Sequence, residues 1–187
     1  MKKMMFPAIM VLMAFFTGCT KIVNLANINI DIPYTTQATV PLIPGDTVGT
    51  PLPAGMVLNF PTKDVQSNSK QVLTQYNTST SKIVSVDLKS LSIAILSPPS
   101  QNFDFLDTVQ LYISAASLPE RLIAYRYNVP KGLTTLVLNT ADSVSLKGYF
   151  LADTMHFRVR TFITAVPASG TTLSASIVFH MIANPLD

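Results

Sequence analysis

Tryptophan is absent from these 187 residues, and cysteine, glutamate and histidine are almost absent. A single cysteine, Cys19, has no partner for an internal disulfide. A single glutamate, Glu120, leaves little for the paired carboxylates of glycoside hydrolysis; Asp104 and Asp107 are the one close pair in the later part of the chain. Only His156 and His180 can serve as imidazole bases or ligands, and no G-x-S-x-G elbow presents a nucleophile to them. No glycine-rich phosphate cradle occurs. No 20- to 50-residue period repeats, which excludes solenoids and propellers. Charged residues make up only 12% of the chain. Past the first residues, no apolar run is long enough for a membrane-spanning helix.

What the chain does have begins at its start. Lys2 and Lys3 precede an apolar stretch from Met4 to Phe16, which runs into Phe16-Thr17-Gly18-Cys19. A basic segment, a short apolar segment and small residues form a secretory signal. Followed by cysteine, they resemble the lipobox of bacterial lipoproteins, here of the Bacteroidetes type. Lipoboxes favour leucine where Phe16 stands; Thr17 and Gly18 fit. The resemblance covers about the first 20 residues. It implies a signal peptide over residues 1–18, a diacylglyceryl thioether on Cys19, and acylation of the new amino terminus. Two or more acyl chains anchor stably. Residues 19–27 then form a lipidated tether and residues 28–187 a single domain. Thr20 is not the aspartate of an inner-membrane retention signal, and Lys21-Ile22-Val23 is not an acidic export cluster. The resemblance therefore places the protein in the outer membrane facing the periplasm, with the cell surface as the alternative.

Removal of the signal changes the charge. Thirteen basic residues lose Lys2 and Lys3, leaving eleven against ten acidic ones. The near-neutral remainder gives no case for a nucleic-acid partner. Abundant Thr, Val, Ile and Ser suit half-buried pleated strands.

Period-two alternation starts at Ile28, Ile30 and Ile32 and continues beyond Pro33 through Ala38 and Val40. Prolines and glycines over 41–55 predict a long irregular loop, with a short strand from Met56 to Phe60. Residues 62–76 are the best helix candidate, capped by Thr62, with Val65, Val72, Leu73 and Tyr76 on one face. Val84, Val86 and Leu88 alternate, and so do Leu91, Ile93 and Ile95, but with opposite parity. One extra residue near Lys89-Ser90 is needed to reconcile them, a β-bulge or bend. Further series follow at Val109, Leu111, Ile113 and Ala115; at Ile123, Tyr125, Tyr127 and Val129; and at Leu136 and Leu138. Asp142 is placed to cap a short helix carrying Leu146, Tyr149 and Phe150. Two long strands end the chain, with Phe157 and Phe179 inward and Pro167–Gly170 as their hairpin loop. About eight strands and one or two short helices predict an all-β fold, a two-sheet sandwich. The series is similar in pattern to immunoglobulin-like and LEA-type sandwiches, without the Cys…Trp…Cys hallmark of true immunoglobulin domains.

The hairpin register would set His156 opposite His180, about 5 Å apart, a candidate zinc site with Asp153 as a third ligand. His156, Arg158 and Arg160 share one outward parity and form a candidate cationic face for acidic headgroups, sulfated glycans or an acidic partner. Asp-Ser/Thr followed by an apolar residue occurs at Asp46-Thr47-Val48, Asp107-Thr108-Val109, Asp142-Ser143-Val144 and Asp153-Thr154-Met155. This resembles an O-glycosylation motif of exported Bacteroidetes-type proteins, and implies Thr47, Thr108, Ser143 and Thr154 as acceptors. The expected function is a lipid-anchored binding or structural module of the cell envelope, without catalysis or cofactor. Its partners are the membrane, through the lipid, and another envelope protein or a glycan. The alternative is a carrier of an apolar ligand or lipid in a pocket between the sheets.

Overall fold

The computed structural model describes residues 27–41, 47–141 and 144–184. Strand β1 (Ile28–Thr39) buries Ile30 and Ile32 and leaves Pro33 exposed. Proline has no N–H to give a second neighbour, and β1 is indeed a sheet edge. Strand β2 (Pro51–Asn59) starts inside the stretch expected to be loop. The expected helix over 62–76 is shorter. Its first part is strand β3 (Lys63–Gln66), in which Val65 pairs with Met155, and helix α1 is only Ser69–Gln75. Thr62 therefore caps nothing, because pairing with a long strand outweighs the local helical spacing.

Strand β4 (Ile83–Ser97) carries the expected bulge. Leu88 pairs with Phe179 and Ser90 with Val178, so Lys89 is the extra residue. Two further extra residues, Val84 and Leu96, are 55% and 51% exposed. Val84 thus faces out rather than in, and Ile83 takes its inward place. Strands β5 (Leu106–Ala115) and β6 (Leu118–Arg126) form a hairpin. Next come β7 (Thr135–Val137), β8 (Asn139–Thr140) and helix α2 (Lys147–Leu151), then β9 (Thr154–Ala165) and β10 (Thr172–Ala183). Leu146, Tyr149 and Phe150 are buried at α2 as their spacing requires. Asp142, its expected cap, lies outside the described residues.

The strands form two antiparallel sheets, a four-stranded β1-β10-β4-β7 and a six-stranded one with the path β2-β9-β5-β6-β8, in which β3 also pairs with β9. The all-β, two-sheet sandwich is therefore present. If β2 and β3 count as one interrupted strand and β8 as a short extension, eight strands remain in the wiring of a jelly roll. The immunoglobulin pattern keeps the last two strands side by side in one sheet. Here β9 and β10 lie in opposite sheets, and residues 166–171 carry the chain across the sandwich instead of closing a hairpin. Phe157 and Phe179 still point inward, but from facing sheets. With Ile113, Phe150, Met155 and Met181 they belong to one continuous core.

The two flanks differ. On one, Leu138 carries the chain directly from β7 in one sheet to β8 in the other, and its N–H bonds Leu91 O at 3.0 Å. On the other, the β1 edge faces the interrupted β2–β3 edge. Tyr34 ties them at one point by donating its hydroxyl to Ser67 O, and burial pushes that hydroxyl's pKa up to about 12.

Candidate functional site

The outer face of the six-stranded sheet carries a connected set of long side chains. Their placement follows from register. Tyr112 pairs with Arg158, and Gln110 with Arg160 on one side and Tyr125 on the other. Ile123 is an extra residue in β6, between Leu122 opposite Tyr112 and Ala124 opposite Leu111. Ala124 takes an inward place and Tyr125 turns outward. Strand β6 ends at Arg126, so Tyr127 lies beyond it and is 47% exposed. The alternating series expected from Ile123 to Val129 thus breaks at its two tyrosines.

The contacts run continuously. Arg158 donates two hydrogen bonds to the Glu120 carboxylate, at 2.7 and 2.6 Å. This pairing holds Glu120 below the usual carboxylate range and raises Arg158. The Arg158 guanidinium lies 4.4 Å from the centre of the Tyr112 ring. Tyr112 Oη donates to Gln110 Oε1 at 3.2 Å, and Gln110 Nε2 donates to Tyr127 Oη at 3.3 Å. The Tyr127 and Tyr125 rings are 5.0 Å apart and tilted by 33°. Six side chains from three strands and one loop therefore fix one another's rotamers. The surface they form offers aromatic faces, amide and hydroxyl groups, and charge. Such a surface can bind a flat, hydroxyl-rich molecule with apolar C–H faces.

The histidines expected to face each other do not. His156 is on β9 and His180 on β10, on the outer faces of opposite sheets. His156 Nδ1 bonds Asp64 at 2.6 Å, and His180 Nδ1 bonds Asp31 at 2.8 Å. No group of three potential metal ligands occurs among the described residues. The zinc pairing fails because alternation within two strands does not show whether the turn between them stays in one sheet. Asp64, His156 and Ser114 do share a row across three strands, but no hydrogen bond joins His156 to Ser114, and the row lies on an open sheet face.

The His156-Arg158-Arg160 face is largely neutralised. His156 meets Asp64 and Arg158 meets Glu120; among the described residues only Arg160 of the three has no carboxylate at ion-pair distance. Asp104 ties its loop to the turn before β7, accepting from Gly132 N at 2.5 Å and from its neighbour Asn102 Nδ2 at 3.0 Å. Of the acceptor candidates, Thr47 is exposed, Thr108 donates to Asp107 at 2.9 Å, and Thr154 accepts from Gln66 at 3.1 Å. Cys19 and Ser143 lie outside the described residues. The signal that could have found the network is the i, i+2 pair Tyr125 and Tyr127 beside Gln110 and Tyr112. Recognising it requires the Ile123 bulge.

Between the sheets is an apolar cavity of about 80 Å³, walled by Phe103, Phe105, Phe157 and neighbouring aliphatic residues. Its exposed lining residues, Gln37, Ala38, Pro61 and Lys63, mark a mouth where the β2–β3 edge is interrupted. No described helix is long and apolar enough to cross a membrane.

No family model and no curated protein matches the chain. Among solved structures it is similar to one of infectious bursal disease virus Gt strain, with 10% identity and a TM-score of 0.32. That match covers 96% of this chain but only 36% of the virus chain. It is also similar to one of Desmodium yellow mottle tymovirus, with 14% identity, a TM-score of 0.27, and coverage of 97% and 95%. Likenesses this distant add nothing to what the strand order shows.

Proposed function

We propose that this chain is a lipid-anchored, non-catalytic binding module of the bacterial outer membrane, with the tyrosine–arginine face as its binding surface and a glycan as its ligand. The observation that carries this reading is the Glu120-Arg158-Tyr112-Gln110-Tyr127-Tyr125 network. A surface whose rotamers are already fixed loses less entropy on binding. Aromatic faces meet the C–H faces of sugars, while Gln110 and Arg160 reach hydroxyls or carboxylates. The anchor is the lipid implied at Cys19. Residues between Cys19 and β1 hold the sandwich near the membrane surface.

The test is affinity electrophoresis of the full chain in mild detergent, through gels cast with a β-glucan, a mannan or a polyuronate. One of them should retard the protein. Replacing Tyr125 and Tyr127 together by alanine should weaken retardation about tenfold or more, at roughly 1 kcal/mol per aromatic contact. Replacing Ser92 and Ser176 on the opposite sheet should leave it unchanged. Unretarded migration in every gel, or equal loss from both pairs of substitutions, refutes the surface. Anchoring is checked separately by metabolic palmitate labelling, which Cys19→Ala should abolish.

A further inference from the structure

The cavity between the sheets is independent of the tyrosine–arginine face and opens on a different part of the molecule. Its size limits what it can hold. An engineered apolar cavity of about 150 Å³ accommodates the six carbons of benzene. By the same scale, the 80 Å³ here holds about three carbons. A space of this size suits a short chain better than a whole lipid.

The mouth adds a charge. Lys63 pairs in register with Phe157, whose ring is buried, so its side chain leaves the backbone on the inward side of the sheet. Lys63 is nevertheless exposed. Its stem lines the cavity and its ammonium reaches water at the edge, as amphipathic side chains do at apolar borders. Among the described residues no carboxylate pairs with it; the adjacent Asp64 points to the outer face and holds His156. An apolar pocket a few carbons deep, with a free cation at its rim, complements one small class of molecule.

We propose that this cavity binds a short straight-chain monocarboxylate, with the alkyl end among Phe103, Phe105 and Phe157 and the carboxylate against Lys63. The test is a methyl-resonance titration of the full chain in lipid nanodiscs with the series from acetate to octanoate, and with 1-alkanols of equal length. Empty nanodiscs correct for partitioning. Affinity should rise about fourfold per added methylene and level off once about three carbons follow the carboxyl group. Shifts should centre on Ile93 and Ile177, which line the cavity. Lys63→Gln, a change at an exposed position, should reduce carboxylates to the affinity of the alkanols, and Ala175→Leu should fill the space and abolish binding. Three results overturn the proposal: no shift at millimolar carboxylate, affinity that climbs without a break to octanoate, or alkanols binding as well as carboxylates to the unsubstituted protein. Should Ala175→Leu not fold, the chain-length series and Lys63→Gln decide alone.

Discussion

The outer faces of the two sheets follow the same alternation and carry opposite surfaces. On the four-stranded sheet one half of the outer face is short-chained, with Ser90, Ser92 and Ala94 on β4 and Ser174 and Ser176 on β10, while the other half carries Asp31, Lys89 and His180. On the six-stranded sheet the outward residues are long and joined to one another, from Glu120 to Tyr125. Both faces carry a His–Asp pair, so ion pairing does not distinguish them. The bulges do. In β4 the extra residues Val84, Lys89 and Leu96 are expelled to solvent, and the inward series on either side stays in the core. In β6 the extra residue Ile123 stays buried, and what moves outward is the next residue in the alternation, Tyr125. One kind of bulge preserves a core; the other builds a surface.

Deletions in β4 break this comparison most severely. Removing Lys89 should leave a folded protein, because the ladder closes with Leu88 and Ser90 already in the right parity. Removing Ser92 should turn Ile93 and Ile95 outward, at about 3–6 kcal/mol for the two side chains. That is a large part of a typical net stability of about 5–15 kcal/mol. Urea unfolding of the two deletions distinguishes them, and equal losses would refute the bulge assignment.

A smaller effect is expected at the edge of the six-stranded sheet. Gly55 sits at φ +62°, and a β-carbon there would lie 2.1 Å from the end of the Phe162 ring. Phe162 is on the outer face and can swing away, so Gly55→Ala should cost mainly its backbone strain, about 1–2 kcal/mol. Thermal melts should show this loss, and Gly132→Ala, which meets no atom within 4 Å, should show the backbone cost alone.

The smallest effect separates the two faces by pH. Lys89, and after it His180, hold the Asp31 carboxyl below its ordinary value of 3.8. The folded state then takes up that proton less readily than the unfolded chain. The stabilisation is full above the ordinary carboxylate range and is lost as pH falls through the lowered value. Asp31→Asn should therefore flatten the acid side of the melting-temperature profile, more at low salt than at high salt, because the pair is exposed. An unchanged profile would show that Asp31 contributes nothing to stability.

These contrasts also explain what could be read from the residues alone. The Lys89 bulge was legible because two strongly apolar series of opposite parity meet there and cannot share one face. The Ile123 bulge was not, because Ile123, Ala124 and Tyr125 all tolerate burial and leave the parity undecided. The two-sheet sandwich followed from the number and length of the alternating runs. The crossing from β9 to β10 did not, since a hairpin and an arch between sheets bury the same alternate residues. Cys19 and its lipid rest on the motif alone. Glu120 counted as an isolated carboxylate until the fold brought Arg158 beside it. The mouth of the cavity was hidden for a similar reason. Lys63 looked like the start of a helix, and only the pairing of β3 with β9 places it against Phe157.

One topological feature also governs when this protein can fold. Strand β1 pairs along its whole length with β10, from Ile28 opposite Ala183 to Thr39 opposite Thr172. The first of the described strands thus has its neighbour in the last of them. Contacts of such wide sequence separation form late, and proteins dominated by them fold in milliseconds to seconds. A chain emerging from the ribosome keeps β1 unpaired until residues 172–183 have appeared. The four-stranded sheet therefore closes late, after its inner strand β4 and its other edge β7 have been made.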